Sequence, residues 1–213
     1  MRNKHMDRSA GYSGIAFIVI TIAAFIIQGF PPSQAPSAVA DFIASRQTMW
    51  LVGAWLTLPG VALLLWFASG LNDYLRDAEG MEATLLRWAF AGALIGGMMA
   101  VLSAVVAVVM AYHPLAVALA TPLFDLSGML ATLGFFPSAW WIWGVSNCAR
   151  RQGRWPMWVI WLGFLAALLS AAASLAGIFA GTPLAFTLGQ GIVSFVWIVV
   201  VSVILIRAHG EGP

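Results

Sequence analysis

Asp125 is the residue with the most chemical potential in this chain. It stands in the stretch Phe124-Asp125-Leu126-Ser127, inside an apolar run from about Pro122 to Asn147. A carboxylate in a membrane-crossing helix costs about 2.5–3.5 kcal/mol at mid-helix and less toward the interface. So placed, it is a proton carrier, a ligand anchor or an active-site acid. Alternatively it is a first-turn carboxylate that accepts from free helix amides and meets the positive end of the helix dipole. His113 ends the preceding apolar run, Arg46 and Asp41 lie in the polar segment after the first run, and Gln28 and Gln190 fall at similar depth in the first and last runs. Taken together, Gln28, Arg46, His113, Asp125 and Gln190 converge on one outward-facing polar pocket for a small molecule or a lipid headgroup. Taken singly, each is a polar residue near a water interface. Gly189 and Gly191 flank Gln190 and would permit close backbone approach there.

Other chemistries find less support. His113 with Asp125 falls short of the three or four N, S or O ligands that zinc requires, so no metal site is expected. A haem needs a buried axial ligand, and only His113 is a candidate; no cofactor is expected. A retinal Schiff base needs a lysine within the spans, and the one lysine is Lys4. No GxSxG motif occurs, and Ser127 and Ser138 have no histidine nearby in sequence. Serines inside spans bond back to their own helix backbone more often than they do chemistry. Cys148 is the single cysteine, so no intramolecular disulfide or CxxC pair can form.

The elements that must position these residues are helices in lipid. Of the 213 residues 62% are hydrophobic and 8% charged, and the mean hydropathy is +0.92. A soluble domain carries about 25% charged residues. Each crossing needs about 20 apolar residues, and six such runs with short connections nearly exhaust the length. The fold class is therefore all-α, a polytopic bundle of six helices forming one membrane domain over 1–213. The spans are expected at about 12–30, 49–70, 86–111, 122–147, 155–180 and 184–206. The first is longer than a secretory signal's apolar core of about 7–15 residues and lacks a good cleavage site, so an uncleaved helix is expected. An outer loop at 31–48 holds three prolines, after which Ser37 is placed to cap a short amphipathic helix from Ala38 to Arg46.

Orientation follows from the basic residues. With the N-terminus inside, nine of the ten Lys and Arg residues fall in inner segments, and Arg46 alone falls outside. Both termini are then cytoplasmic. The basic residues are split among loops with no basic face interleaved with aromatics, so no nucleic-acid partner is expected.

Three hairpins result, and they share short motifs. Arg87-Trp88 and Arg154-Trp155 open spans three and five, followed at equal distance by Leu102-Ser103-Ala104 and Leu169-Ser170-Ala171. Pro114-Leu115-Ala116 and Pro183-Leu184-Ala185 enter the spans that follow. Pro36 and Pro59 match Pro114 and Pro137 at a common offset. Either the hairpins form a parallel repeat or the matches are chance in a small apolar alphabet. Gly92 and Gly96 form a GxxxG motif suited to close helix packing, within the chain more readily than between chains. Pro59 and Pro137 should bend their helices. Of the eleven tryptophans, Trp140, Trp141, Trp143, Trp155, Trp158 and Trp161 gather toward the inner face with Trp88. They read as an interfacial girdle or, alternatively, as an aromatic-lined slot.

The segments Ala40-Asp41-Phe42, Trp50-Leu51-Val52-Gly53, Leu65-Trp66-Phe67, Phe124-Asp125-Leu126, Gly134-Phe135-Phe136-Pro137 and Val200-Val201-Ser202-Val203-Ile204-Leu205 resemble those of uncharacterised six-helix bacterial integral membrane proteins. The resemblance implies the topology, the cytoplasmic membrane of a bacterium, and Asp125 as a habitual feature. It implies no activity.

Three functional classes fit. The first is a non-enzymatic membrane component, an accessory subunit or a lipid- or small-molecule-binding protein, with the bilayer and a small hydrophobic ligand or another membrane protein as partners. The second is a proton-coupled carrier of a small hydrophobic solute. The third is an intramembrane isomerase or cyclase using Asp125 and His113 as acid and base. A carrier calls for a cavity past mid-membrane, an enzyme for Asp125 and His113 around one point, and a subunit for a filled core with an unpartnered outer face.

Overall fold

The computed structural model describes residues 4–33, 35–75, 81–112, 117–180 and 184–207, without the side chains of 4–7, 81, 178–180 and 184–190. Among the described residues the chain is all-α, without strands. The helices are α1 (Lys4–Gln28), α2 (Pro36–Ser45), α3 (Gln47–Tyr74), α4 (Met81–Tyr112), α5 (Val117–Leu133), α6 (Phe135–Arg151), α7 (Met157–Ala180) and α8 (Leu184–Arg207). Five helical stretches are long and apolar enough to cross a membrane: Arg8–Gln28, Gln47–Tyr74, Glu82–Tyr112, Val117–Arg151 and Met157–Gly177. A shorter apolar stretch covers Gly191–Arg207 in α8.

The fourth stretch is two helices in series, and the reason is Pro137. Proline has no amide hydrogen, so the carbonyl four residues earlier, on Leu133, loses its helical partner. The helix is interrupted one residue later, at Gly134. Hydrogen bonding resumes on both sides, from Gly134 N to the Leu130 carbonyl (3.2 Å) and from Ser138 N to the Gly134 carbonyl (3.3 Å). Pro59, by contrast, leaves α3 a single helix.

Successive long helices run antiparallel and gather the arginines at one end. Trp66 of α3 donates to Ser9 of α1 (3.2 Å), and Gly11 lies against Ile206 and Ser202 of α8. At the same end the C-terminus of α3 is capped from the α6–α7 turn. Gln152 Nε2 donates to the Leu75 carbonyl (3.1 Å), and the Arg154 guanidinium donates to the Tyr74 carbonyl while lying over the Tyr74 ring. Cationic and amide donors thus serve orphan carbonyls at the negative end of the helix dipole. Helix α6 closes with the Arg154 amide bonded to the Ala149 carbonyl and the Gly153 amide to the Arg150 carbonyl, both at 3.2 Å. That bond pair needs a left-handed residue, supplied by Gly153 at φ +62°.

The seam between α4 and α6 is built on glycine. A methyl group at Gly92 would lie 2.5 Å from the Pro137 carbonyl oxygen, and one at Gly96 would lie 2.5 Å from Ser138 Oγ and 3.1 Å from the Gly134 carbonyl oxygen. One turn further on, Gly144 of α6 meets Ala89 of α4. The GxxxG motif therefore serves packing within the chain. The interior divides into two clusters. The larger, toward the arginine-rich end, packs Phe67, Leu71, Trp141, Val145, Trp155, Trp197 and Val201. The smaller, at the opposite end, joins Val39 and Ile43 of α2 to Trp50, Ala107, Met110 and Ala120. Helix α2 thus folds its apolar face onto the bundle. It starts at Pro36, whose missing amide hydrogen costs nothing at that position, and not at a Ser37 cap.

Candidate functional site

At the end opposite the arginines, α1 stops at Gly29 because that residue is left-handed, φ +66°, with its amide bonded to the Phe25 carbonyl at 2.9 Å. Arg46, at the α2–α3 junction, turns back over this terminus. Its guanidinium donates to the Ile27 carbonyl (3.5 Å) and sits 5.4 Å from the centre of the Phe42 ring. A cation at the negative end of α1 is the favourable sign. Gln28 packs its methylene groups toward Gly53 of α3, where an added methyl would come within 2.8 Å of Gln28 Cγ. Gln28 and Arg46 therefore both lie at the end of α1. Nearby, Gln47 donates to the Ala111 carbonyl (2.7 Å) and the buried Trp50 indole to the Ala107 carbonyl (3.0 Å), tying α3 to α4.

Asp125 lies elsewhere. Helix α5 begins at Val117, so Asp125 is its ninth residue, about 12 Å along the axis at 1.5 Å per residue. It is therefore beyond the first turn, and the free amides of the helix start are not its partners. Its direction follows from its neighbours. Ala120 is buried, Phe124 packs on the Trp50 ring at 6.2 Å, and Ser127 bonds to α4. These mark the inward face. Asp125 falls on the other, with Ala118, Pro122, Met129 and Leu133, all exposed and spaced three or four residues apart. It makes no hydrogen bond or ion pair among the described residues. A methyl at Gly128, beside this stripe, would meet nothing within 4 Å. His113 lies outside the described residues, and Gln190 falls in α8, where its side chain is not described.

Helix α5 as a whole is weakly covered. Ala120 is its one buried residue. Of the most apolar 18 residues in Val117–Arg151, 11% are buried, against 28–44% in the other four stretches. What holds α5 to α4 is a reciprocal serine pair: Ser103 Oγ donates to the Ser127 carbonyl (2.8 Å) and Ser127 Oγ to the Ser103 carbonyl (3.1 Å). Ser170 and Ser194 stand 3.4 Å apart across α7 and α8. The offset that relates Ser103 to Ser170 also relates Ser127 to Ser194, a spacing present in the sequence but outside its short shared motifs.

The tryptophans divide. Trp88, Trp140, Trp143, Trp158 and Trp161 are exposed, Trp88 and Trp140 stacking at 6.3 Å. Trp141 and Trp155 turn inward instead and meet Trp197 edge to face at 5.8 and 6.2 Å. Five of the seven therefore suit a girdle and two build the core. Ser146 Oγ and Trp197 Nε1 both press against Gly163, and neither has a hydrogen-bond partner among the described residues. Shallow hollows among the described residues include one of about 300 Å³ beside Thr84, Arg87 and Trp88 and another of about 360 Å³ beside Tyr12 and Trp66. Among the described residues no three of His, Cys, Asp and Glu gather as a metal site would require.

No protein-family model matches the chain, and no curated protein or solved structure matches it either.

Proposed function

We propose that this chain is a non-enzymatic membrane component, a subunit that works by binding another polypeptide or a lipid. In this reading it crosses the cytoplasmic membrane of a bacterium six times, with α8 as the sixth crossing and both termini inside. The clustering of Arg8, Arg87, Arg150, Arg151, Arg154 and Arg207 at one end of the bundle supports that orientation. The equivalent serine pairs of α4–α5 and α7–α8 support a parallel repeat of hairpins.

The observation that carries the reading is the direction of Asp125. Carrier and enzyme alike need this carboxylate at an inward site, and it points away from the bundle. The interior beneath is filled by Trp50, Met110, Ala107 and Ala120, with Leu123 and Phe124 packed against them. A packed core beneath a weakly covered outer face that carries one carboxylate is the arrangement of a protein that acts through its surface. Native mass spectrometry on the chain extracted gently from its own membrane tests this. The expected result is a mass above that of the 22.8 kDa chain, resolving into a second polypeptide or a discrete lipid that Asp125→Ala loses. A bare chain, or turnover of a bound small molecule, would overturn it.

A further inference from the structure

We infer that the outward stripe of α5, centred on Asp125, is the docking face for a membrane-crossing helix of a different polypeptide that carries an arginine or lysine. The inference rests on the subunit reading above and assigns its surface and its partner's chemistry.

Two independent observations meet on this helix. The first is coverage. Helix α5 buries one residue, and the most apolar 18 residues of Val117–Arg151 are buried less than half as much as those of the other four long apolar stretches. A helix that lies between polar solvent and core can afford such exposure on its wet side; in lipid, association comes from close van der Waals packing and interhelical polar contacts. The small and flat residues of the stripe, Ala118, Pro122 and the neighbouring open Gly128, suit close approach of another helix. The second is charge. Asp125 has no partner among the described residues, and it stands between Phe124 and Ser127, which both engage other helices of the bundle. An ionisable residue at such a place marks a polar contact to be completed.

Charge also selects the occupant. A symmetric contact between two copies through α5 would bring two Asp125 carboxylates together, and like charges repel. Among the described residues the basic group at that end, Arg46, is half-buried and turned onto the Ile27 carbonyl, so a second copy does not offer it freely. A different helix presenting a guanidinium or ammonium completes the contact with the right sign.

The test places a photocrosslinking amino acid at Met129, on the stripe, and separately at Val19, on the exposed face of α1, in cells of the native host. The Met129 probe should give one discrete adduct with a second polypeptide whose membrane segment contains Arg or Lys. Asp125→Asn should lower its yield at least about tenfold, Gly128→Trp should block it sterically, and Asp125→Lys should abolish it. Reversing the charge of the partner's basic residue should restore the adduct to Asp125→Lys. Thermal melting of each variant, unchanged because the substitutions are exposed, separates lost docking from lost folding. An adduct with lipid or a second copy alone, or a yield indifferent to Asp125, would overturn the inference. A polypeptide adduct from Val19 but not from Met129 would overturn it while leaving the subunit reading intact; no adduct from either, together with a bare chain in the native mass spectrum, would overturn both.

Discussion

Replacing Gly92 with alanine should destabilise the bundle although alanine is the better helix former. The added methyl would stand 2.5 Å from the Pro137 carbonyl oxygen and 3.2 Å from the Trp141 amide nitrogen. Both atoms are backbone, so no side chain can rotate away. The α6 backbone there is fixed further by the proline and by the interruption at Gly134, so α4 and α6 must separate. Overpacking of this kind costs about 1–3 kcal/mol. The gain in helix propensity returns up to about 1 kcal/mol. With about 1 kcal/mol returned, the net loss is up to about 2 kcal/mol, which for a chain of this size lowers the melting temperature by up to roughly 8 °C. Gly128→Ala isolates the propensity gain, because nothing lies within 4 Å of its methyl; it should melt at or slightly above wild type. Both are read from intrinsic tryptophan fluorescence on heating in one detergent. Equal melting of the two variants, or Gly92→Ala above wild type, would refute the seam as the origin of the effect.

Other substitutions separate buried from interfacial groups. Trp197→Ala removes a side chain with no exposed surface from the centre of the core and should cost about 3–5 kcal/mol, whereas Trp161→Ala, 63% exposed, should leave the detergent melt nearly unchanged. Gly29→Ala forces a side chain into left-handed backbone, costing about 1–2 kcal/mol, and drives a methyl to 2.6 Å from the Arg46 guanidinium; Gly29→Ala combined with Arg46→Ala should relieve the second effect and not the first. Cys148 has no exposed surface, so an alkylating reagent should modify it only after denaturation.

What the sequence made legible was the helical class and the length of the apolar helices, because a chain in lipid must satisfy every backbone group within its own helices. The break in the fourth apolar run was legible too, since a proline removes a known hydrogen bond. Direction was not legible. In water, an apolar stripe marks the buried face of a helix. In lipid, both the core and the surroundings are apolar, and the stripe disappears. Trp140, Trp141 and Trp143 are alike in type and neighbouring in sequence, yet the middle one is core and the others are surface. Asp125 has the same ambiguity: its type marked it as polar chemistry, and only the placement of Phe124 and Ser127 shows that it faces away from the bundle. For Arg46, the sequence identified a lone basic residue at its end, but its position on the Ile27 carbonyl follows from the turn that α1 makes at Gly29.

The crossing pattern is the claim on which the depth of Asp125, the inside position of the arginines and the docking face all depend. A Cys148→Ser background carrying Ser33→Cys or Thr84→Cys, each at an exposed position, measures it directly with a membrane-impermeant maleimide on intact cells. Ser33→Cys should be labelled from outside at once, and Thr84→Cys only after the membrane is permeabilised. Labelling of Thr84→Cys in intact cells, or protection of Ser33→Cys, would contradict the account.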